Sequence, residues 1–291
     1  MRFVILFLSL HAVVGNMWCQ YEMPVGDDTL NVLSWNVYMR PRKIFWNNQI
    51  ERSKLIVEKL LEEDLDIIVL QEVFDKKSKK IISQGLESKY PFSAGPGQQG
   101  LFRLSSGVMI FSKLRILQTL VKPYKKCKKA DCFAKKSAVL ATFTNGVNNF
   151  HVVATHMQAG GGSTFGDIIR RSQLKTIAKL SNKLPSNELQ IFAGDFNTHR
   201  HKETYQEMLE ILDAKDNDPC RELKCSSDPK NDFKKDKSKK GTLIDYILIK
   251  DNNAGEIVET EIMRYQKAQK TGMNDLSDHY AIKTKIMVKN K

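Results

Sequence analysis

A short apolar run in the second half of the chain is followed by a carboxylate and a carboxamide. These two side chains could form part of a site. Leu189–Ala193 has the composition of a buried strand, and Gly194 then frees the backbone. Asp195 and Asn197 follow, two residues apart. In an extended segment their side chains point to the same side, at the carboxyl edge of a sheet where α/β folds place their sites. The simpler alternative is a strand that ends in an Asx-type turn.

Other polar residues stand at the boundaries of further predicted strands, where a sheet would collect them along one edge. These residues are Asn36, Glu72, His156 and the pair Asp278-His279. Taken singly, each has an ordinary explanation, because a glutamate after a strand is usually solvated and a single histidine is usually structural. The ordered set carries more weight than any one of its members.

Asp245 is harder to explain as a structural residue. It stands inside the apolar run Leu243–Leu248, where a carboxylate is costly unless a partner compensates its charge. A protonated or polarised imidazole is a natural partner, and His279 is available. We therefore predict that Asp245 and His279 form a pair.

Apolar periodicity predicts strands that alternate with helices along the chain. The predicted helices are Gln49–Glu63, Phe165–Leu184 and Lys202–Leu212, and the predicted strand pair is Ser137–Phe143 with Asn149–His156. The sequence has no repeat at solenoid spacing and no low-complexity linker. This order predicts one α/β domain over residues 27–291, with packed sheets inside and helices outside.

The chain is basic, with 46 lysine and arginine residues against 33 aspartate and glutamate residues and a formal net charge of +13. Such a surface favours anionic partners, meaning nucleic acid, phosphoinositide or an anionic bilayer, without choosing among them. Two segments concentrate the charge: Lys122–Lys136 has seven lysines and Asp228–Gly241 has six. Both are predicted to be solvated loops, and docking to an anionic surface is the alternative.

Residues 1–19 have the pattern of a secretory signal peptide. Arg2 precedes an apolar run of about a dozen residues, and the small residue Gly15 follows the run. The run is too short to span a bilayer as a helix. We expect a secreted protein that is cleaved between residues 15 and 19; a buried N-terminal strand is the alternative.

Four of the five cysteines form two close pairs, Cys127 with Cys132 and Cys220 with Cys225. In an oxidising compartment this arrangement indicates two small disulfide loops. A zinc site is the alternative, but neither pair has Cys-x-x-Cys spacing. Cys19 would be an odd thiol if processing left it in place.

Six short motifs contain the polar residues described above. They are Trp35-Asn36, Gln71-Glu72-Val73, Thr155-His156, Gly194-Asp195-Phe196-Asn197, Ile244-Asp245-Tyr246 and Ser277-Asp278-His279. In this order they resemble the endonuclease/exonuclease/phosphatase family of magnesium phosphodiesterases, over nearly the whole mature chain. The resemblance implies an α/β fold, the deoxyribonuclease I-like four-layered sandwich of two packed sheets with flanking helices.

The residues around these motifs narrow the resemblance. The informative segments are Asn36–Met39, Gln71–Asp75, Ser106–Val108, Phe111–Lys113, Thr155–Ala159 and Leu276–Tyr280, together with Trp46 and Glu51-Arg52. They are similar to those of the secreted neutral sphingomyelinases, the bacterial sphingomyelinase C group. This similarity implies a sphingomyelin phosphodiesterase of the phospholipase C type, which releases ceramide and phosphocholine.

The resemblance also implies a metal site. Glu72 would bind Mg²⁺ directly, Asn36 would lie beside it, and Asp278 would belong to the outer shell. Oxygen ligands of this kind suit a hard cation that keeps several waters. Mn²⁺ or Co²⁺ could substitute for Mg²⁺.

Catalytic roles follow from the same resemblance. His279, oriented by Asp245, would deprotonate the attacking water. Asp195 and Asn197 would position that water and a phosphoryl oxygen. His156 would donate to the phosphate as negative charge develops.

Two departures from the bacterial pattern bear on membrane contact. Lys135-Lys136-Ser137 stands where bacterial members have Asn-Lys-Gly, and Tyr265 is the only aromatic residue of Arg264–Asn274, where they have an aromatic-tipped hairpin. We therefore expect the protein to meet sphingomyelin-containing membranes peripherally, through its lysine-rich loops. We expect a monomer with no obligatory protein partner.

Two other functions use the same residues. A secreted nuclease would have the same catalytic set, and contacts with phosphates would account for the net charge of +13. A catalytically inactive, basic lipid- or membrane-binding protein could keep the same scaffold. The presence of every site residue argues against such a loss of activity.

Overall fold

The computed structural model describes residues 29–97, 104–160, 164–217, 225–268 and 273–289. The predicted signal peptide, residues 1–19, and Cys220 lie outside these ranges. Within them, no helix is both long enough and apolar enough to cross a membrane.

Twelve strands, numbered in chain order, form two six-stranded sheets in the described part of the chain. In spatial order the first sheet contains β11 (Gly255–Met263), β12 (Ala281–Val288), β1 (Thr29–Met39), β2 (Ile67–Val73), β4 (Met109–Ser112) and β3 (Phe92–Ala94). The second contains β5 (Arg115–Pro123), β6 (Ser137–Thr144), β7 (Asn149–His156), β8 (Leu189–Asp195), β10 (Asp245–Lys250) and β9 (Ala214–Lys215).

Three of the four α-helices in the described residues correspond to the helices predicted above, apart from small shifts at their ends. The four helices are α1 (Gln49–Glu62), α2 (Lys76–Leu86), α3 (Thr164–Ser181) and α4 (Glu203–Leu212), with a short 3-10 helix at Lys129–Phe133. Helix α2 begins after Asp75, whose side chain accepts a hydrogen bond from Ser78 N at 3.0 Å and so caps the helix.

Successive side chains of the central strands point alternately to the two faces of the sheet, and this alternation explains how the sheets and helices form layers. On β1, Leu30 and Val32 belong to the core between the two sheets, whereas Leu33 and Trp35 pack with helices α1 and α2. Strand β2 repeats this alternation, and the buried faces of α3 and α4 join the core of the second sheet. The fold is therefore the expected four-layered α/β sandwich.

Two parallel strand pairs set the edge on which the site lies. β1 runs parallel to β2, with Asn36 opposite Gln71, and β7 runs parallel to β8, with His156 opposite Asp195. Parallel neighbours end at the same edge of their sheet. Asn36 Nδ2 donates to Asp195 Oδ2 at 3.0 Å, so these two carboxyl edges meet.

The segment Lys122–Lys136 is more ordered than the predicted solvated loop. It begins in β5, which the sequence analysis missed, and it contains the 3-10 helix. Most side chains of β5 are exposed, so this edge strand lacks the apolar pattern that would have revealed it.

One of the two predicted disulfides is present. Cys127 and Cys132 are bonded, which confirms the first loop. The second prediction was wrong for this structure, because Cys225 carries a free thiol that donates to Asp228 Oδ2 at 3.2 Å.

The close approach of β7 and β8 yields a stability prediction. A Cβ atom at Gly194 would lie 2.0 Å from the backbone oxygen of Thr155, so Gly194→Ala forces the two strands apart. We expect the free energy of unfolding to fall by roughly 3 kcal/mol or more in urea titrations. Gly146→Ala is the matched control, because Gly146 also has a positive φ (90°) but open space around it. It should lose only about 1 kcal/mol, and equal losses would contradict the steric argument.

Candidate active site

Asn36 is the centre of the polar residues at the shared edge of the sheets. Its Nδ2 donates to Glu72 Oε1 at 3.3 Å and to Asp195 Oδ2 at 3.0 Å. Its Oδ1 accepts a hydrogen bond from Tyr38 N at 3.2 Å. One amide at the end of β1 therefore fixes a carboxylate from each sheet.

Glu72 and Asp278 present two buried oxygens, Glu72 Oε2 and Asp278 Oδ1, that have no hydrogen-bond partner among the described residues. Burial, with the nearby charge of Asp278, raises the pKa of Glu72 above its ordinary value. Glu72 also has a left-handed backbone (φ 59°), a strained conformation that often marks a functional residue. Two unpartnered carboxylate oxygens beside an amide are the donor set of a hard divalent cation.

The loop that carries Asp278 and His279 is held on β1 by hydrogen bonds from both sides. Ser277 Oγ donates to Asn36 O, and Trp35 Nε1 donates to His279 O at 2.9 Å. The buried guanidinium of Arg52 donates to Leu276 O at 2.8 Å. These bonds fix the backbone on both sides of Asp278.

The predicted pair of Asp245 and His279 is present in the structure. His279 Nδ1 and Asp245 Oδ2 lie 2.8 Å apart, and Ser226 Oγ donates to the same Asp245 oxygen at 2.6 Å. Burial disfavours the imidazolium, but Asp245 and then Asp278 outweigh it and raise the pKa of His279 to about 10. The hydrogen bond to Nδ1 leaves Nε2 of His279 as the nitrogen available to a substrate or a water.

Asp195 and Asn197 form the Asx-type turn, the simpler of the two interpretations of the sequence. Asn197 N donates to Asp195 Oδ1 at 2.9 Å, which is the Asx-type turn. Asn197 has φ 51°, so the extended geometry we expected beyond Asp195 is not formed. The turn nevertheless keeps Asn197 in the site, where its Nδ2 donates to Met157 O at 3.2 Å.

Burial and the negative charge of Asp245 raise the pKa of Asp195 to about 7. Asp195, Asp245 and His279 also offer ligand atoms within 4.8 Å of one another, a second arrangement that could hold a metal ion. We favour the corner of Glu72 and Asp278, because each of these carboxylates has an unpartnered oxygen. In the second group both oxygens of Asp195 already accept hydrogen bonds, and of its carboxylate oxygens only Asp245 Oδ1 is unpartnered among the described residues.

Lys136 is a site residue that the sequence analysis did not identify. It is only 5% exposed, and its Nζ lies 3.0 Å from His156 Nε2 and 2.6 Å from Met157 O. An ammonium group can only donate, so His156 Nε2 accepts and the proton of the neutral ring is on Nδ1. His156 Nδ1 is buried without a partner and is thus a free donor. The lysine-rich context of Lys136 concealed it, because one buried lysine looks like its solvated neighbours.

The remaining site residues lie where the motifs placed them. His156 ends β7, with its Nε2 3.5 Å from Asp195 Oδ2, and the burial of His156, with Lys136 adding to the effect, lowers its pKa well below the ordinary value. The structure thus brings together all eight predicted residues: Asn36, Glu72, His156, Asp195, Asn197, Asp245, Asp278 and His279.

The sequence matches the family model described as Endonuclease/Exonuclease/phosphatase family over residues 33–279. The chain therefore belongs to this family, and the match includes all eight residues of the site.

Two curated relatives are named Sphingomyelinase C. The protein from Leptospira interrogans is 31% identical over 206 residues, which are 64% of this chain and 37% of the relative, so this chain spans well under half of that protein. The protein from Bacillus cereus is 26% identical over 97% of this chain and 96% of its own length.

Solved structures support the same fold. A crystal structure of beta toxin from Staphylococcus aureus has a TM-score of 0.82 and 23% identity, and it covers 88% of this chain and 99% of the toxin chain. A second beta toxin structure contains bound magnesium ions; its TM-score is 0.80 at 23% identity, with 88% and 98% of the two chains covered.

The contact of Lys136 with His156 predicts a change in pKa. Lys136→Gln removes a positive charge 3.0 Å from the ring, so the pKa of His156 should rise, as measured by NMR of the ring protons. It should remain below the ordinary value, because burial is the largest cause of its lowering. Lys135→Gln removes the same charge from the next residue and should leave His156 unchanged. A pKa that did not move in Lys136→Gln would contradict this electrostatic contact.

Proposed function

We propose that this protein is a secreted, Mg²⁺-dependent phosphodiesterase that hydrolyses sphingomyelin to ceramide and phosphocholine. The observation that carries the proposal is the pair of unpartnered, buried carboxylate oxygens of Glu72 and Asp278 beside the hydrogen-bonded pair of Asp245 and His279. The Sphingomyelinase C relatives support the choice of head group. The predicted signal peptide and the disulfide of Cys127 with Cys132 support secretion.

In this proposal the neutral form of His279 is the general base. The raised pKa makes that form a stronger proton acceptor, but also the minor form near neutral pH. Asp245 accepts the hydrogen bond from Nδ1, which directs Nε2 toward a water and holds the ring in that orientation. Ser226 fixes the Asp245 carboxylate through Oδ2. Two buried hydrogen bonds, from Ser226 to Asp245 and between Asp245 and His279, therefore position the base. Asp195, whose pKa of about 7 leaves it partly protonated near neutral pH, and Asn197 position the water and one phosphoryl oxygen.

His156 and Lys136 are proposed to contact the phosphate on the side away from His279. His156 Nδ1 is the free donor, and it can hydrogen-bond a phosphoryl oxygen as negative charge develops. Lys136 fixes the tautomer of that ring and adds a buried positive charge beside it. Asp131, 3.0 Å from Lys136 Nζ, holds the ammonium in place.

Glu72 would hold the metal ion directly, with Asn36 beside it and Asp278 in its outer shell. When bound, a divalent cation offsets the charges of Glu72 and Asp278, polarises a phosphoryl oxygen and stabilises the leaving alkoxide of ceramide. Mg²⁺ is the proposed ion, and Mn²⁺ or Co²⁺ are the proposed substitutes.

The experiment that tests the function compares two substrates. Mature protein is incubated with sphingomyelin vesicles and with supercoiled DNA, each with Mg²⁺ and with EDTA. We expect phosphocholine release that EDTA abolishes, with the DNA intact. Nicked DNA and untouched vesicles would instead assign the protein to the nucleases. Failure to act on either substrate would favour an inactive, basic membrane-binding protein.

Glu72→Gln separates catalysis from folding. The amide keeps an oxygen for the hydrogen bond from Asn36 but loses the charge that a metal ion needs. We expect sphingomyelin turnover to fall by about a thousandfold or more, in line with the loss of a transition-state charge contact. The melting temperature of the metal-free protein should not fall, because the substitution removes the repulsion between Glu72 and Asp278. Turnover that survived this change would contradict the proposed metal site.

Membrane contact is proposed to involve the lysine-rich loops, with the protein acting as a monomer. Not every lysine is available: Lys136 is buried, and Lys234 Nζ lies 3.3 Å from Asp278 Oδ2. Lys125, Lys126 and Lys129 are exposed. A lysine near an anionic bilayer contributes about 1 kcal/mol.

Binding to anionic vesicles should therefore depend steeply on salt. The triple variant Lys125→Gln, Lys126→Gln, Lys129→Gln should lose up to about 3 kcal/mol of binding free energy at low salt in vesicle sedimentation, and its salt dependence should be shallower. The matched control replaces the exposed Lys54, Lys183 and Lys285, which lie on α1, after α3 and on β12, by glutamine. Binding of the unsubstituted protein that stayed constant from low to physiological salt would contradict the electrostatic contact.

A further inference from the structure

An exposed apolar turn follows the catalytic end of β1. Ile44 is 73% exposed, Phe45 41% and Trp46 75%, three consecutive large apolar side chains in solvent. Single exposed apolar residues are common on soluble proteins, but a contiguous group of them marks an interaction surface. We call these three residues the first apolar tip.

The first apolar tip is built on a defined turn close to the proposed metal corner. Ile44 N and Phe45 N both donate to Pro41 O at 3.0 Å. The guanidinium of Arg40 stacks between two rings, 4.2 Å from the centroid of Tyr38 and 4.1 Å from that of Phe45. Tyr38 N in turn binds the Asn36 side chain, so the tip is anchored to the site through two residues.

A second group of exposed apolar side chains lies beyond the end of β7. Phe133 of the 3-10 helix is 68% exposed, and on α3 Phe165 is 52% and Ile168 46% exposed. Lys128 Nζ lies 4.5 Å from the centroid of the Phe165 ring, which links the disulfide loop to the start of α3. We call Phe133, Phe165 and Ile168 the second apolar tip.

The second apolar tip is anchored to the phosphate side of the site. Asp131, two residues before Phe133, binds Lys136 Nζ at 3.0 Å and accepts from Ala159 N at 2.7 Å. Lys136 contacts His156. The polar faces of these loops therefore build the site, and their apolar side chains are left in solvent.

The two tips are thus connected to the two sides of the same catalytic edge, and each has positive charge beside it. Arg42 and the exposed Lys43 precede the first, and Lys128 and Lys129 precede the second. Aromatic and aliphatic side chains flanked by basic residues have the composition of protein segments that lie in a membrane interface. A protein partner would cover one continuous patch, whereas two separated basic-apolar tips around a catalytic edge suit a broad, fluid, anionic surface.

We propose that both apolar tips insert into the interface of a phospholipid bilayer and hold the catalytic edge against it. This inference rests on the proposed function in taking the substrate from a bilayer. It goes beyond electrostatic docking, because the tips contribute burial of apolar surface that salt does not screen. It also gives this chain an apolar membrane contact outside the stretch Arg264–Asn274. Tyr265, the aromatic residue of that stretch, is buried, with its ring centroid 5.0 Å from that of Trp35.

The first experiment compares three variants. Ile44→Ser with Trp46→Ser removes the first tip, and Phe133→Ser with Ile168→Ser removes the second. Val147→Ser is the control, because Val147 is 80% exposed but lies in the turn before β7, at the opposite edge from His156. Binding to vesicles of phosphatidylcholine, sphingomyelin and the anionic lipid phosphatidylserine is measured by flotation in EDTA, and turnover is measured on the same vesicles and on monomeric p-nitrophenylphosphorylcholine with Mg²⁺.

Each double variant should bind vesicles about tenfold or more weakly and lose vesicle turnover to a similar extent, since each loses two apolar side chains at the interface. Turnover of the monomeric phosphodiester should be unchanged, which excludes damage to the site or the fold. The control should match the unsubstituted protein in all three measurements. Double variants that bind and turn over vesicles like the control would overturn the proposal.

The second measurement reports insertion directly and does not require activity. Brominated phosphatidylcholine should quench the fluorescence of Trp46 on vesicle binding, and Trp46→Phe should remove that quenching while vesicle binding persists. Binding without quenching would overturn insertion and leave electrostatic docking. Quenching without phosphocholine release would refute the proposed function and retain the membrane contact, so the two failures are distinguishable.

Discussion

The side chain of Asn36 joins the two sheets at the point where the site is built. Its amide reaches Glu72 on the neighbouring strand and Asp195 on the other sheet. Because each sheet carries half of the polar residues, a small shift between the sheets would separate Glu72, Asp278 and His279 from Asp195 and Asp245. Ser277 Oγ, which donates to Asn36 O, extends this control to Asp278 and His279. The rigid packing of the two sheets therefore sets the precision of the site.

Negative charge is concentrated at this edge, and its arrangement shows which groups are compensated inside the protein. Asp245 is hydrogen-bonded to His279 and Ser226, and its charge is the largest of the effects that raise the pKa of His279. In the part of the chain that the structure describes, Glu72 has no cationic partner within hydrogen-bond distance, and burial raises its pKa. Leaving a buried carboxylate oxygen unsatisfied opposes folding. A site that keeps such a group is suited to a ligand that brings positive charge. The metal corner differs in this respect from the pair of Asp245 and His279, whose charges compensate each other inside the protein.

The sequence predicted the layers and the site residues better than it predicted their surroundings. Apolar periodicity identified the pair of strands β6 and β7, and the cost of an isolated charge at Asp245 led to His279. Strand β5 was missed because its side chains are mostly exposed, and Lys136 because burial of a lysine depends on Asp131 and His156 meeting it in space. The thiol of Cys225 shows the limit of spacing as evidence, because it is free and donates to Asp228 although another cysteine is only five positions away in the sequence.

The positions of the lysines show that only part of the net positive charge of the chain is available at the surface. Part of the positive charge in Lys122–Lys136 is directed inward: Lys136 neutralises Asp131 and orients His156, and only its exposed neighbours are available to a surface. The same segment presents Phe133 to solvent, next to the disulfide. One stretch of chain therefore combines the proposed phosphate contacts on its inner face with exposed basic and apolar side chains on its outer face. An enzyme that takes a phosphodiester from a lipid surface needs these two faces back to back, because the head group must enter the site while the lipid chains stay in the bilayer.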